Sequence, residues 1–374
     1  MAGMRTTLGV VAGGAALAAA AWALREVPAE LGLRPLTSGP ERASRIRRSP
    51  QFVNGAFANP MPDSTPPAGP QGLALLGEFA RGRRQRRPQG WIPLRVPPSD
   101  PPPADGLRAV WYGHATTLVE IEGRRVLFDP VWSDRVSPTP LLGPKRHHEM
   151  PLEIGELPPI DAIVISHDHY DHLDMATVRS LTNSQKAPFV VPLGVGAHLE
   201  RWGVPTYRII ELDWDEEAQV AGLRFVATAA RHFSGRTSVR SNDTLWGSWV
   251  VAGATKRVFY AGDSGYFDGY KGIGAKHGPF DLTLMPIGAY GPGWPDIHMT
   301  PEEAVAAHLD LGGRLLLPVH WATFTLSLHP WAEPVERLWR ESKARDAAIV
   351  IPRPGEGVDT ASVPPVEDWW QITS

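Results

Sequence analysis

Between His167 and Asp174 the chain reads HDHYDHLD, three histidines and three aspartates in eight residues, although the whole 374-residue protein has only 13 histidines. A solvated loop has no use for that density, and an apolar core would not tolerate it. Imidazole and carboxylate together suit zinc, and the absence of cysteine rules out thiolate ligands. His167, His169, Asp171 and His172 can reach metal only if the backbone turns sharply, as it can where a strand ends. A catalytic zinc takes about three protein ligands and keeps one open position, so four local residues are too few for two ions. Further ligands must come from elsewhere. The candidates each close an apolar run: His232 ends LRFVATAARH, Asp263 ends KRVFYAGD and His320 ends RLLLPVH. One such histidine alone reads as a core residue; three strand ends delivering metal-type residues read as a site along one edge of a sheet sandwich.

The surrounding pattern supplies those strands. LRAVWYG, TTLVEIEG and RRVLFDP are short β-rich runs separated by Gly or Pro. IDAIVISH is a continuous apolar run of the kind buried on both sheet faces, and MATVRSLTN after the cluster predicts a helix. The second half repeats the scheme with LRFVATAARH, LWGSWVVAG, KRVFYAGDS and DLTLMPIG, then a helix from TPEEAVAAHLDLG and the run RLLLPVHW. Strands dominate both halves and each carries a helix or two, which predicts two packed sheets with helices outside.

Upstream of about residue 105 the composition changes. NPMPDSTPPAGP and VPPSDPPPADG cannot hold long helices or central strands. Residues 1–104 carry thirteen arginines against six acids, a balance of +7, which leaves −10 on the remainder for the total of −3. A basic arm on an acidic body suits an anionic lipid surface and argues against a nucleic-acid partner, which would need a basic catalytic body. The run Thr6–Leu24 is 19 uncharged residues between Arg5 and Arg25, close to the about 20 needed to span a bilayer. The organisation expected is therefore an N-terminal hydrophobic anchor or signal segment (1–25), a Pro/Arg-rich arm (26–105) and a catalytic domain (106–374). The localisation expected is a membrane, reached through that N-terminal segment.

The HDHYDH cluster, His232, GDSG around Asp263 and His320 resemble the metallo-β-lactamase superfamily. Longer stretches, among them WYGHATTLVEI, FDPVWSDRVSP, ELPPIDAIVISHDHYDHLD, YAGDSGYF, GPFDLTLMPIGAY and HWATF, resemble its N-acyl-phosphatidylethanolamine-hydrolysing phospholipase D branch. The resemblance implies an α/β fold, an αββα sandwich preceded by the Pro-rich arm, and two zinc ions. His167, His169 and His232 would bind one ion; Asp171, His172 and His320 would bind the other; Asp263 would bridge them. It also implies that Tyr170 and His298 contact the phospholipid, and that His114 lies just behind the ligands. Asp171 would take the catalytic role of orienting the nucleophile or accepting its proton. The activity implied is hydrolysis of an N-acyl-phosphatidylethanolamine to N-acylethanolamine and phosphatidic acid, with a phospholipid and a membrane as partners and a homodimer as an open assembly. A lactonase or phosphodiesterase of soluble molecules is the alternative on the same fold. After His232 the chain reads FSGR and keeps only Arg236 of the mammalian pattern, so the resemblance leaves acyl-chain contacts through that segment open.

Overall fold

Alternation along the strand Leu107–Gly113 sets the layering. Ala109 and Trp111 point to one side and Val110 and Tyr112 to the other, and all four are buried, so this sheet is covered on both faces. The computed structural model describes residues 39–62, 84–236 and 242–372. The chain enters through helix α1 (Pro40–Arg48) and a small ladder of β1 (Phe52–Val53) and β2 (Ala56–Phe57). The first sheet contains β3 (Leu107–Gly113), β4 (Thr116–Ile121), β5 (Arg124–Phe128), β6 (Ala162–Val164), β7 (Phe189–Pro192) and β8 (Ile209–Leu212). Their spatial order follows the sequence, and the late strand β15 (Gly357–Asp359) closes the edge beside β3. The second sheet holds β9 (Glu217–Val220), β10 (Leu223–Thr228), β11 (Ser248–Ala252), β12 (Arg257–Tyr260), β13 (Leu282–Pro286) and β14 (Leu316–Val319), again in sequence order.

Helices cover the outer faces. Val178 and Leu181 of α2 (Met175–Ser184) and Leu199 of α3 (Gly196–Arg201) share a core with Val110, Leu118, Leu127 and Ile163 of the first sheet. Helices α4 (Gly269–His277), α5 (Pro301–Asp310) and α6 (Glu333–Ala344) cover the second, through residues such as Tyr270, Val305 and Leu338. Between the sheets, Phe128 meets Tyr260 with ring centroids 4.8 Å apart, and the Trp249 indole donates to the carbonyl of Ile165 at 2.9 Å. The αββα sandwich that the resemblance implied is present.

Strand direction positions the site. Strands β5 to β8 run parallel, as do β12 to β14, and β10 runs the same way as β12 because both pair antiparallel with β11. The C-terminal ends of β6, β10, β12 and β14 therefore collect at one edge of the sandwich, and the chain beyond each carries a candidate ligand.

One expectation is corrected. Among the described residues no helix is long and apolar enough to cross a membrane. Membrane localisation through the N-terminal run thus finds no support and is withdrawn; Thr6–Leu24 itself lies outside the described residues.

Candidate metal centre

The cluster sits where β6 gives way to α2. His172 N–H and Leu173 N–H both donate to the His169 carbonyl, at 3.1 and 2.8 Å, closing the sharp turn that the spacing required. Asp174 then caps α2, accepting from Ala176 N–H and from the Thr177 hydroxyl. Arg236 braces the turn from outside, donating 2.7 Å bonds to the carbonyls of Asp168 and Leu173. Gly262, just before Asp263, has φ +59°, and a Cβ there would lie 2.6 Å from that of Ser166. Only glycine lets the segment after β12 come this close to the cluster.

Three ring nitrogens converge at one position. His167 Nε2 lies 2.8 Å from His169 Nδ1, which lies 3.2 Å from His232 Nε2. The opposite nitrogens of two of these rings are engaged: His232 Nδ1 donates to the Ile297 carbonyl at 2.9 Å, and His167 Nδ1 meets the Ser166 hydroxyl at 2.9 Å. Each of those rings thus presents a bare Nε2, the arrangement that metal-binding histidines require. Burial drives His167 and His232 well below the usual imidazole range and lowers His169 too, so all three are neutral and their lone pairs face one another. Such a set is satisfied by a cation.

Beside it lies a second set of donors: Asp171, His172 and His320, with His114. Asp171 Oδ2 is 3.3 Å from His320 Nε2 and 3.5 Å from His172 Nε2. Burial opposes charge here, but the carboxylates win. Asp263, Asp171 and Asp129 hold His172 well above the usual range, and His320 is raised to about 9, with burial overcome chiefly by Asp263 and Asp171. Asp171 and Asp263 are correspondingly held well below the ordinary carboxylate range, their burial outweighed by the neighbouring imidazoles. The pocket is built to hold positive charge.

Asp263 touches both sets. Its Oδ2 is 3.0 Å from His320 Nε2, 3.2 Å from His172 Nε2, and 3.8 and 3.9 Å from Nε2 of His232 and His167. The buried Oδ1 of Asp263 and Nε2 of His172 make no directed hydrogen bond among the described residues. Nitrogen and carboxylate donors, unpaired atoms aimed inward, and a carboxylate between two groups fit a divalent-metal centre.

A cavity of about 430 Å³ opens onto this cluster. His169, Asp171, Asp263, His298 and His320 form its polar end, and Phe233, Trp294, Ile297 and Leu326 supply apolar wall. His298 Nδ1 is 3.8 Å from Asp263 Oδ2, and burial lowers its imidazole to about 4 despite that carboxylate. Tyr170 is placed differently. Its hydroxyl donates to the Arg236 carbonyl at 3.0 Å, the Arg236 guanidinium lies 3.9 Å over its ring, and it is not part of the cavity wall.

Two orienting groups escaped the sequence reading. Asp129, fully buried after β5, accepts from Ser166 N–H at 2.7 Å, from the hydroxyls of Ser166 and Tyr260, and from His172 Nδ1 at 2.6 Å. It thereby turns His172 Nε2 inward. Its signal is the acid that closes the run RRVLFD, the same strand-end logic that picks out Asp263. The Ile297 carbonyl, which orients His232, carries no side-chain signal at all.

Comparison with known proteins places this geometry. Residues 124–321 match the β-lactamase superfamily domain. An uncharacterised protein of Mycobacterium tuberculosis (strain H37Rv) is 48% identical over 99% of this chain and 100% of its own length. An N-acyl-phosphatidylethanolamine-hydrolysing phospholipase D of Caenorhabditis elegans is 38% identical over 64% of this chain and 71% of its own. A solved metallo hydrolase of the archaeon Ignicoccus hospitalis shares the fold, with a TM-score of 0.51 and 24% identity over 68% of this chain and 97% of that one.

Proposed function

The chain belongs to the β-lactamase superfamily and is a metal-dependent hydrolase, and from that premise we propose that it cleaves N-acyl-phosphatidylethanolamine-type phospholipids to N-acylethanolamine and phosphatidic acid. The observation that carries this reading is the cavity: its polar end is the histidine and aspartate cluster, and its wall is largely apolar. A phosphodiester flanked by long chains matches both ends, and the worm relative named for this activity supports the choice.

In this reading His167, His169 and His232 would hold one zinc, Asp171, His172 and His320 would hold a second, and Asp263, within reach of both sets, would serve the two together. Two such ions would supply Lewis acidity at the phosphoryl oxygens and would lower the pKa of water toward about 7. The chain's own groups do the rest. Asp171 stays ionised and orients the attacking water through its carboxylate. His298, neutral because it is buried, offers one N–H at the cavity wall to a phosphoryl oxygen. Phe233, Trp294, Ile297 and Leu326 receive the hydrocarbon next to the scissile bond and exclude bulk water.

The test is a panel assay of purified full-length protein on N-acylated and plain phospholipids in mixed micelles, a soluble phosphodiester and a lactone. Preferential release of N-acylethanolamine supports the proposal. Faster turnover of the soluble phosphodiester or the lactone would replace it with the soluble-substrate alternative.

A further inference from the structure

The amide of His232 lies beyond the end of β10, where no ladder partner receives it. A buried N–H needs an acceptor, and His232 is fully buried. The acceptor comes from 173 positions away in the chain: Asn59 Oδ1, at 2.9 Å. We infer that Asn59 is a positioning residue of the metal centre, and that the segment entering the domain, residues 39–62, fixes the backbone from which His232 presents its Nε2. The inference rests on the reading of His232 as a metal ligand.

The segment is anchored as such a role requires. Arg42 of α1, largely buried, makes a two-pronged contact with Glu200 at 2.7 and 3.0 Å and donates from Nε to Glu211 at 2.7 Å. Glu211 is itself held by the N–H groups of Gly194 and Gly196. Bidentate arginine–carboxylate pairs of this kind give directional as well as energetic hold. Phe57, 1% exposed, shares a core with Ile46, Leu193, Trp214, Leu245 and Trp246. Its N–H donates to the carbonyl of Asn242, whose side chain in turn accepts from Ser234 N–H, two residues past His232. The residue before His232 adds a second tie. Arg231 donates to the Pro62 carbonyl at 3.1 Å and pairs with Asp296 at 2.9 Å, next to the Ile297 carbonyl that receives the His232 ring. The histidine is thus held at its backbone by the entering segment and at its ring by the cavity loop, both tied through Arg231.

Two readouts on the full-length chain test this. One is cobalt or zinc affinity in competition with a chromophoric chelator; the other is hydrogen exchange of the His232 amide in chelator-stripped protein. Asn59→Leu removes the acceptor at similar size and is expected to weaken one of the bound ions about tenfold or more, the scale of lost outer contacts to metal ligands, and to speed exchange at His232. Asn59→Asp keeps the oxygen and should restore both. If N59L is recovered only unfolded, Asn59→Gly takes its place with the same expectations. Affinity within about twofold of the parent with an unchanged His232 amide, in either acceptor-less variant, overturns the inference, as does N59D failing alongside them. The control is His232→Ala. If it leaves the metal content intact, the ligand reading itself has failed; if it lowers the content while the Asn59 variants do not, only the role of Asn59 has.

Discussion

His114 Nε2 stands 2.9 Å from Asp171 Oδ2, and the carbonyl of the same histidine accepts the N–H of His320 at 2.9 Å. One residue, in the turn between β3 and β4, thus steadies two members of the second donor set. Burial and the neighbouring His320 lower the His114 imidazole to about 3, so it is neutral at physiological pH and donates its single Nε2–H to Asp171. His114→Ala should weaken the ion held by Asp171, His172 and His320 by about 10–100-fold while sparing the other, and His114→Gln, which retains a donor, should recover part of the loss. Chelator competition checks both. Equal affinity in H114A and the parent would remove His114 from the centre.

Asp263 predicts a different signature from its neighbours. Its carboxylate lies 3.0 Å from His320 and 3.8 and 3.9 Å from His232 and His167, so Asp263→Ala should lower the content of both ions, whereas His320→Ala should lower one and leave the His167–His169–His232 position filled. Elemental analysis should then read about two metals per chain in the parent and about one in H320A, as two-metal sites require. A parent with a single ion that survives H320A would sink the dinuclear reading.

The far end of the sandwich offers a pH test away from any metal. Glu122, in the turn between β4 and β5, accepts from the N–H groups of Ala254, Thr255 and Lys256 and from the Thr255 hydroxyl, joining the two sheets. Burial opposes its ionisation slightly, but those donors bring its carboxyl down to about 2 from an ordinary 4.5. A depressed carboxyl contributes stability that is complete above its unfolded value and fades as pH falls toward the folded one. Glu122→Gln should therefore cost about 1–2 kcal/mol at pH 7, allowing for partial exposure, and the gap should close between about pH 4.5 and 2. Urea titrations at several pH values measure it, and a pH-independent difference would contradict the mechanism.

Legibility followed the kind of signal each residue carries. The ligand candidates stood out because histidine and aspartate at strand ends are chemically conspicuous, and the strands because β-branched runs between Gly and Pro leave few alternatives. Asn59 and the Ile297 carbonyl were invisible, since accepting an N–H is something almost any backbone or amide can do, and only the fold brings position 59 to position 232. Helix α6 was missed although Val335 and Leu338 bury on one face; the Pro at its start and the many charges masked the periodicity. Tyr170 shows the limit of adjacency. Lying between His169 and Asp171 did not bring it into the cavity wall, because the Arg236 guanidinium and carbonyl hold it elsewhere.

If hydrocarbon occupies the apolar part of the cavity, chain length should register in catalysis. Each methylene buried against Phe233, Trp294, Ile297 or Leu326 is worth about 0.8 kcal/mol, close to fourfold in kcat/KM, until the wall is covered. A series of N-acyl phospholipids should thus rise steeply and then level off. Trp294→Ala should flatten the rise without altering turnover of a short-chain soluble phosphodiester, because the indole, held by its bond to the Ala289 carbonyl at 2.6 Å, forms wall rather than ligand. His298→Ala should do the reverse, lowering kcat on every phosphodiester while metal content stays unchanged. A series with no dependence on chain length, or a W294A protein that loses long and short substrates equally, would show that the wall does not bind the acyl chains and would take away the main support for a lipid substrate.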